Sequence, residues 1–151
     1  VGRVRMTDFP DARPRNYYLD GYEAACDVLK WKHRPEALIC SNDQFAIGVM
    51  QACHRHHVRV PEEMAVVGFG NLEVSPYLEV PLTTIDTRPQ PGEARVILEL
   101  LRKMMNGGSL LPEERLVRLP QPLVIRESCG VRYRRPDLPI PATDLAAGIR
   151  E

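Results

Sequence analysis

Neither sign of charge is in excess: 20 Lys and Arg stand against 20 Asp and Glu, and the formal net charge is zero. A domain that grips nucleic acid by itself carries a basic surplus, because phosphate neutralisation supplies much of its affinity. The expectation is that this chain does not hold DNA alone. No apolar run reaches the roughly 18 residues of a membrane-spanning helix, and no charged-then-apolar leader opens the chain. Aromatics are scarce, at 6%, so a core must be assembled from aliphatic side chains. The four cysteines, Cys26, Cys40, Cys53 and Cys129, form no C-x-x-C pair. They read as buried or half-buried thiols of a reducing cytoplasm rather than as a disulfide framework.

The signatures of enzyme chemistry are missing as well. There is no G-x-S-x-G, no Walker loop and no H-E-x-x-H, and the carboxylates show no paired spacing. Gly68-Phe69-Gly70 begins like a dinucleotide loop, but Glu73 stands where the third glycine belongs and Pro76 opposes a helix close behind. Cys53, His54, His56 and His57 cluster, yet a zinc site draws four ligands from two segments, and no second segment is present. Imidazoles at a helix C-terminus, facing the negative end of its dipole, explain the cluster. Neither a metal nor a cofactor is expected, and the chain is not read as an enzyme.

What is present is a soluble pattern, 44% apolar and 26% charged over 151 residues. That length buries roughly 70% of the unfolded chain's surface. Residues 1–9 alternate like a strand, and residues 10–16 are a Pro-rich loop. Tyr22, Ala25, Cys26 and Leu29 recur at helical spacing within 18–31. Ala37-Leu38-Ile39-Cys40 reads as a buried parallel strand. Ser41-Asn42-Asp43 offers capping side chains for a helix over 44–56, with Asp43 the expected cap. That helix is apolar around most of its circumference, so burial on two sides is expected. Met64 to Gly68 and Leu82 to Ile85 read as further strands. A helix over 92–106 carries an apolar stripe of Ala94, Ile97, Leu98, Leu101, Met104 and Met105, and Asn106-Gly107-Gly108 closes it with a left-handed turn. Residues 115–119 and 123–126 read as short strands, and the Pro- and Arg-rich residues 131–151 as a mobile tail.

Alternating strands and helices predict an α/β fold with a parallel sheet and flanking helices. Ligands of such sheets bind beyond the carboxyl ends of the strands. This rule selects Ser41-Asn42-Asp43 after one strand and Phe69-Gly70-Asn71 after the next. Asn42 can both donate and accept, which suits a hydroxyl-rich ligand, although capping the helix would occupy it equally well.

Five blocks, in order, resemble the lactose/galactose repressor family. They are Gly21-Tyr22-Glu23-Ala24-Ala25; Arg34-Pro35-Glu36-Ala37 running through Ser41-Asn42-Asp43 to Gly48; Val58-Arg59-Val60-Pro61-Glu62-Glu63 through Gly68-Phe69; Pro81-Leu82-Thr83-Thr84-Ile85; and Leu123-Val124-Ile125-Arg126-Glu127-Ser128-Cys129. The resemblance spans about residues 17–129. It implies a partial periplasmic-binding-protein-like core of type I, the second half of a two-subdomain structure with its effector in the cleft. Residues 1–85 would be most of the C-terminal subdomain, 86–119 a crossover helix and strand of the N-terminal subdomain, and 120–130 the returning strand. DNA would be met only through a helix-turn-helix that this chain does not contain.

The resemblance also implies site residues. Asn42, Phe69, Gly70 and Asn71 would contact a small-molecule sugar or sugar acid, and either Phe9 or Tyr17 would stack on it. Ile47, Gln51, Tyr77 and Leu78 would lie at a homodimer interface. Gly70 stands where the family usually has Asp, and Gly68-Phe69-Gly70-Asn71-Leu72-Glu73 is similar to the gluconate-repressor branch. A ligand carboxylate about 4 Å from an Asp would be repelled by roughly 4 kcal/mol at an effective dielectric near 20. Gly70 therefore admits an acid sugar, or simply makes room for a bulkier ligand. A periplasmic-type sugar-binding protein of a transport system shares the implied fold and is the alternative.

Overall fold

The computed structural model describes residues 16–89 and 92–131. The strand expected over 1–9, the candidate Phe9 and nearly all of the expected tail lie outside the described residues.

Asn16 is extended, and its Oδ1 accepts from the backbone N–H of Leu19, which starts helix α1, Tyr17–Leu29. β1 follows at Ala37–Ile39, then α2 at Asp43–Arg55 and β2 at Ala65–Phe69. A 3-10 turn over Ser75–Tyr77 leads to β3, Thr83–Ile85. α3 spans Glu93–Met105, and the chain returns to the sheet as β4, Leu123–Val124. The sheet order is β1-β2-β3-β4. β1, β2 and β3 are parallel, and β4 runs antiparallel to β3. Among the described residues, no helix is long and apolar enough to cross a membrane.

The core lies between the sheet and the α1–α2 layer. Met64, Val66 and Leu82 bury their side chains against Ala25, Leu29, Ala46, Val49, Ala52 and Cys53. Small residues dominate the helical side, so close approach of backbones replaces bulk. Gly21 and Gly48 make that approach possible, since a Cβ on either would overlap the backbone of the opposite helix. Gly21 meets Phe45 and Cys26 meets His56, so α1 and α2 run in the same direction. Their first turns lie together at the end of the sheet where β1 gives way to α2.

Ser128 fastens the end of the matched sequence to the strands. Its hydroxyl donates to the Val66 carbonyl at 2.6 Å and accepts from the Thr83 N–H at 2.9 Å, and its own carbonyl accepts from the Val66 N–H. This three-way bond requires a small hydroxyl at a fully buried position.

Two expectations are corrected. β1 is not a buried strand: it is the edge of the described sheet, and Ile39 is 84% exposed because no strand or helix among the described residues covers that flank. Residues 115–119 form no strand. A 3-10 turn at Pro112–Glu114 precedes them, and Pro120 and Pro122 remove backbone donors that a sheet would need. Within the single chain α2 buries Ala46, Gly48, Val49, Ala52 and Cys53, while Gln51 and His54 face outward. α3 forms where the stripe placed it, with Gly107 at φ 76° closing it, but none of its residues is buried.

Candidate functional site

The carboxyl ends of β1, β2 and β3 come together as the switch-point rule requires. They contribute residues 40–43, 69–72 and 85–88 respectively.

Asn42, not Asp43, is the cap of α2. It is extended, and its Oδ1 accepts from the Phe45 N–H at 2.8 Å. Both residues are capping types, and long-range contacts decide between them. Asp43 turns inward and is 1% exposed. Its Oδ1 accepts from the Thr84 hydroxyl at 2.5 Å, and its Oδ2 accepts from the Leu72 N–H at 2.7 Å and the Ser75 hydroxyl at 2.9 Å. A buried carboxylate survives only when donors replace water, and three do so here. Gly68 is the counterpart of this arrangement, because any Cβ there would strike Asp43 Oδ1. Asp43 thus joins α2, the loop after β2, and β3.

Beside this node Gly70 and Asn71 make the turn out of β2. Gly70 has φ 131° and Asn71 φ 52°, a pair that releases the chain sharply from the sheet. The Gly70 N–H donates to the Ile85 carbonyl at 2.8 Å, and nothing lies within 4 Å of where its Cβ would be. Phe69, just before it, is exposed. Asn71 is buried with both ends of its amide engaged: Nδ2 donates to Asp86 Oδ2 at 3.0 Å, and Oδ1 accepts from Arg126 at 2.8 Å. Arg126 also donates to the Leu82 carbonyl, and burial lowers its pKa from the usual arginine value. Asp86 binds Arg88 side on. That hydrogen bonding, foremost among the causes, holds its carboxyl at about 2.

Of the expected contact residues, Asn42, Phe69, Gly70 and Asn71 therefore gather at one end of the sheet. Tyr17 opens α1 at the same end and is exposed. Ile47, Gln51 and Leu78 line a different feature, an open groove of about 700 Å³ between α2 and residues 78–80, and Tyr77 stands exposed beside Leu78. His54 and His57 also line this groove, and His56 instead meets the Cys26 thiol at 3.5 Å. Among the described residues, no three His, Cys, Asp or Glu side chains are grouped to hold a metal ion. Burial pushes the Cys40 and Cys53 thiols up to about 12 and about 11, which leaves them inert at neutral pH.

Sequence reasoning missed Thr84, Asp86, Arg88 and Arg126. Position was the available signal for the first three, since they sit at or just past the end of a parallel strand. Arg126 gave none, because its partner Asn71 is 55 residues away.

Comparison with known proteins agrees with this fold. The periplasmic binding protein-like domain matches residues 3–129. A PurR transcriptional repressor of Photobacterium profundum is 32% identical over 120 residues, covering 75% of this chain and 35% of that protein. The Escherichia coli repressor ascG superposes with a TM-score of 0.58 at 31% identity, over 74% of this chain and 39% of its own. A LacI-family regulator of Arthrobacter, solved in complex with lactose, superposes with a TM-score of 0.62 at 27% identity, over 74% of this chain and 41% of its own. The chain spans about a third of the length of the curated relatives it matches.

Proposed function

Because this chain belongs to the periplasmic binding protein-like domain family and its relatives are transcriptional repressors, we propose that it is the effector-sensing part of a DNA-binding repressor. The effector is a sugar or sugar acid bound against Asn42, Phe69, Gly70 and Asn71, with Tyr17 or Phe9 as the stacking ring. The observation that supports this reading is the unfilled space at Gly70, beside strand ends whose polar groups are already fixed by one another. A site in which Asp43, Asn71 and Asp86 are held by internal bonds needs little reorganisation when a ligand arrives.

The second lobe of the cleft is supplied by residues 86–119 together with sequence beyond this chain. The exposed apolar stripe of α3 supports that division, since Ile97, Leu98, Leu101 and Met105 need cover in a finished protein. The regulator works in the cytoplasm as a homodimer through the α2 groove, and its DNA contacts belong to a helix-turn-helix outside this chain.

The test uses a regulator that contains this chain, its operator DNA and a panel of hexoses, pentoses, aldonates and uronates. Fluorescence anisotropy should show at least one of them changing operator affinity by roughly 5- to 150-fold, the usual range of allosteric coupling. Operator affinity unmoved by the whole panel would overturn the reading.

A further inference from the structure

Three segments of chain meet at the side chain of Asn71. Its backbone belongs to the turn that carries Gly70 out of β2, and its N–H donates to the Thr84 hydroxyl at 3.3 Å. Its Nδ2 donates at 3.0 Å to Asp86, where the chain leaves β3. Its Oδ1 accepts at 2.8 Å from Arg126, where the chain has come back through β4. Arg126 is half-buried and held against β3 by further bonds. Its backbone N–H donates to the Thr83 hydroxyl at 2.8 Å, and its guanidinium to the Leu82 carbonyl at 2.7 Å. Asp86 closes the circuit, since its own N–H donates to the Pro122 carbonyl at 2.8 Å. A shift of the outgoing segment against the returning one must therefore move the Asn71 amide or break a bond to it. A neutral amide suits this place, because it offers a donor to the carboxylate and an acceptor to the guanidinium at once. The φ of 52° suits asparagine as well.

We propose that Asn71 is a positioning residue, through which an effector at Gly70 sets the returning segment against the outgoing one. This rests on the effector-sensing reading above and adds how that site is read out. The Asn71 amide is committed on both sides inside the protein, so the residue meets the effector with its backbone and transmits with its side chain. Gly70 and Asn71 adjoin, and a ligand that displaces their turn displaces the amide. Asp86 and Arg126 receive that displacement, and the second-lobe residues lie between them in sequence. Hydrogen-bond networks carry coupling when they have discrete arrangements, and this amide is either bonded on both sides or released on one.

The test measures operator affinity of the intact regulator by fluorescence anisotropy, without sugar and with saturating amounts of the panel member that moves wild type most. Saturation keeps a loss of sugar affinity from imitating a loss of coupling. Arg126→Met cuts the returning side of the amide. Asn71→Gly removes the amide and keeps the positive φ without strain. Each should bring the ratio of the two operator affinities from the roughly 5- to 150-fold of wild type to below about threefold. The double variant should lose no more than the worse single one, because both cut the same connection. Ser128→Ala is the control for mere loosening: it cuts the bonds to Val66 and Thr83 on the same returning segment and leaves those of Asn71 in place. It should lower stability and keep the ratio within about twofold of wild type. A wild-type ratio retained in Asn71→Gly overturns the proposal even if Arg126→Met folds poorly, and so does an equal loss in Ser128→Ala. Either result in a wild type that responds to sugar leaves the effector reading standing. A wild type that responds to no panel member overturns that reading, and the proposal with it.

Discussion

Gly21 of α1 and Gly48 of α2 are reciprocal contacts: Gly21 rests on the backbone of Phe45, and Gly48 rests on the backbone of Tyr18 and Tyr22. Each glycine is buried, and neither has a positive φ, so closeness rather than backbone conformation demands it. Gly21→Ala or Gly48→Ala should force the helices apart and cost at least about 3 kcal/mol, at or above the upper end of overpacking penalties. Urea unfolding measures this. A loss no larger than that of an exposed helical substitution such as Glu23→Ala would refute the contact.

Asp43 is the second structural pivot. Asp43→Ala strands the Leu72 N–H and the Ser75 and Thr84 hydroxyls, and should destabilise the fold by about 3–5 kcal/mol. Asp43→Asn should also destabilise, since its amide NH₂ can be accommodated only by the Thr84 hydroxyl turning from donor to acceptor and the charge that strengthens the other bonds is lost. Thermal unfolding of both variants checks the order, with alanine the worse.

Asp86 makes stability depend on acid. Its folded pKa of about 2 lies below the ordinary carboxylate value of 3.8, so its contribution is complete above about pH 4 and is lost as pH falls toward 2. The stability gap between wild type and Asp86→Asn should be constant from neutral pH to about pH 5 and should then close. Denaturant titrations at stepped pH will show this, and a gap that widens in acid would contradict it.

Gly70→Asp tests the charge of the proposed ligand. In the intact regulator it should weaken gluconate by about 1 to 4 kcal/mol, roughly tenfold to a thousandfold, through repulsion between carboxylates. A neutral hexose should bind no worse, because the new acid accepts its hydroxyls. Equal losses for both ligands would indicate crowding instead. The residue has space but an unfavourable φ of 131° for any side chain, so part of the effect will appear as lost stability and must be measured alongside.

The α2 groove predicts assembly. Ile47→Glu and Tyr77→Glu place charge on a surface that a second copy would bury, and each should raise the dimer dissociation constant by at least roughly tenfold. Sedimentation of the intact regulator reads the change. A monomeric wild type at micromolar concentration would remove this interface altogether.

Much of the architecture was legible because local pattern and global fold agree. The stripe of α1, the capping run at 41–43 and the apolar runs at 37–40 and 64–68 each named their element within two residues. Burial of β1 was not legible, because whether Ile39 is covered depends on a neighbour across the sheet and not on its own run. The exchange of roles between Asn42 and Asp43 was hidden for a similar reason: Thr84 and Ser75, which draw Asp43 inward, are more than 30 residues away. Strand ends could be located from sequence, and so Gly70 was placed just past one. The wiring beneath them, from Arg126 through Asn71 to Asp86, exists only once β3 and β4 are side by side.

The chain leaves the sheet past Asp86 and re-enters at Pro122, and these two passages touch, with the Asp86 N–H donating to the Pro122 carbonyl at 2.8 Å. Residues 87–121 therefore hang from a double strap rather than a single thread. A body on one strand can swivel, whereas a body on two fused strands moves like a door on paired pins, swinging readily about one axis and resisting torsion. The strap lies beside the proposed effector site, since the Thr87 hydroxyl is 3.5 Å from the Gly70 carbonyl. A ligand held there would sit at the pins, where a small displacement would become a large travel at the far end of α3.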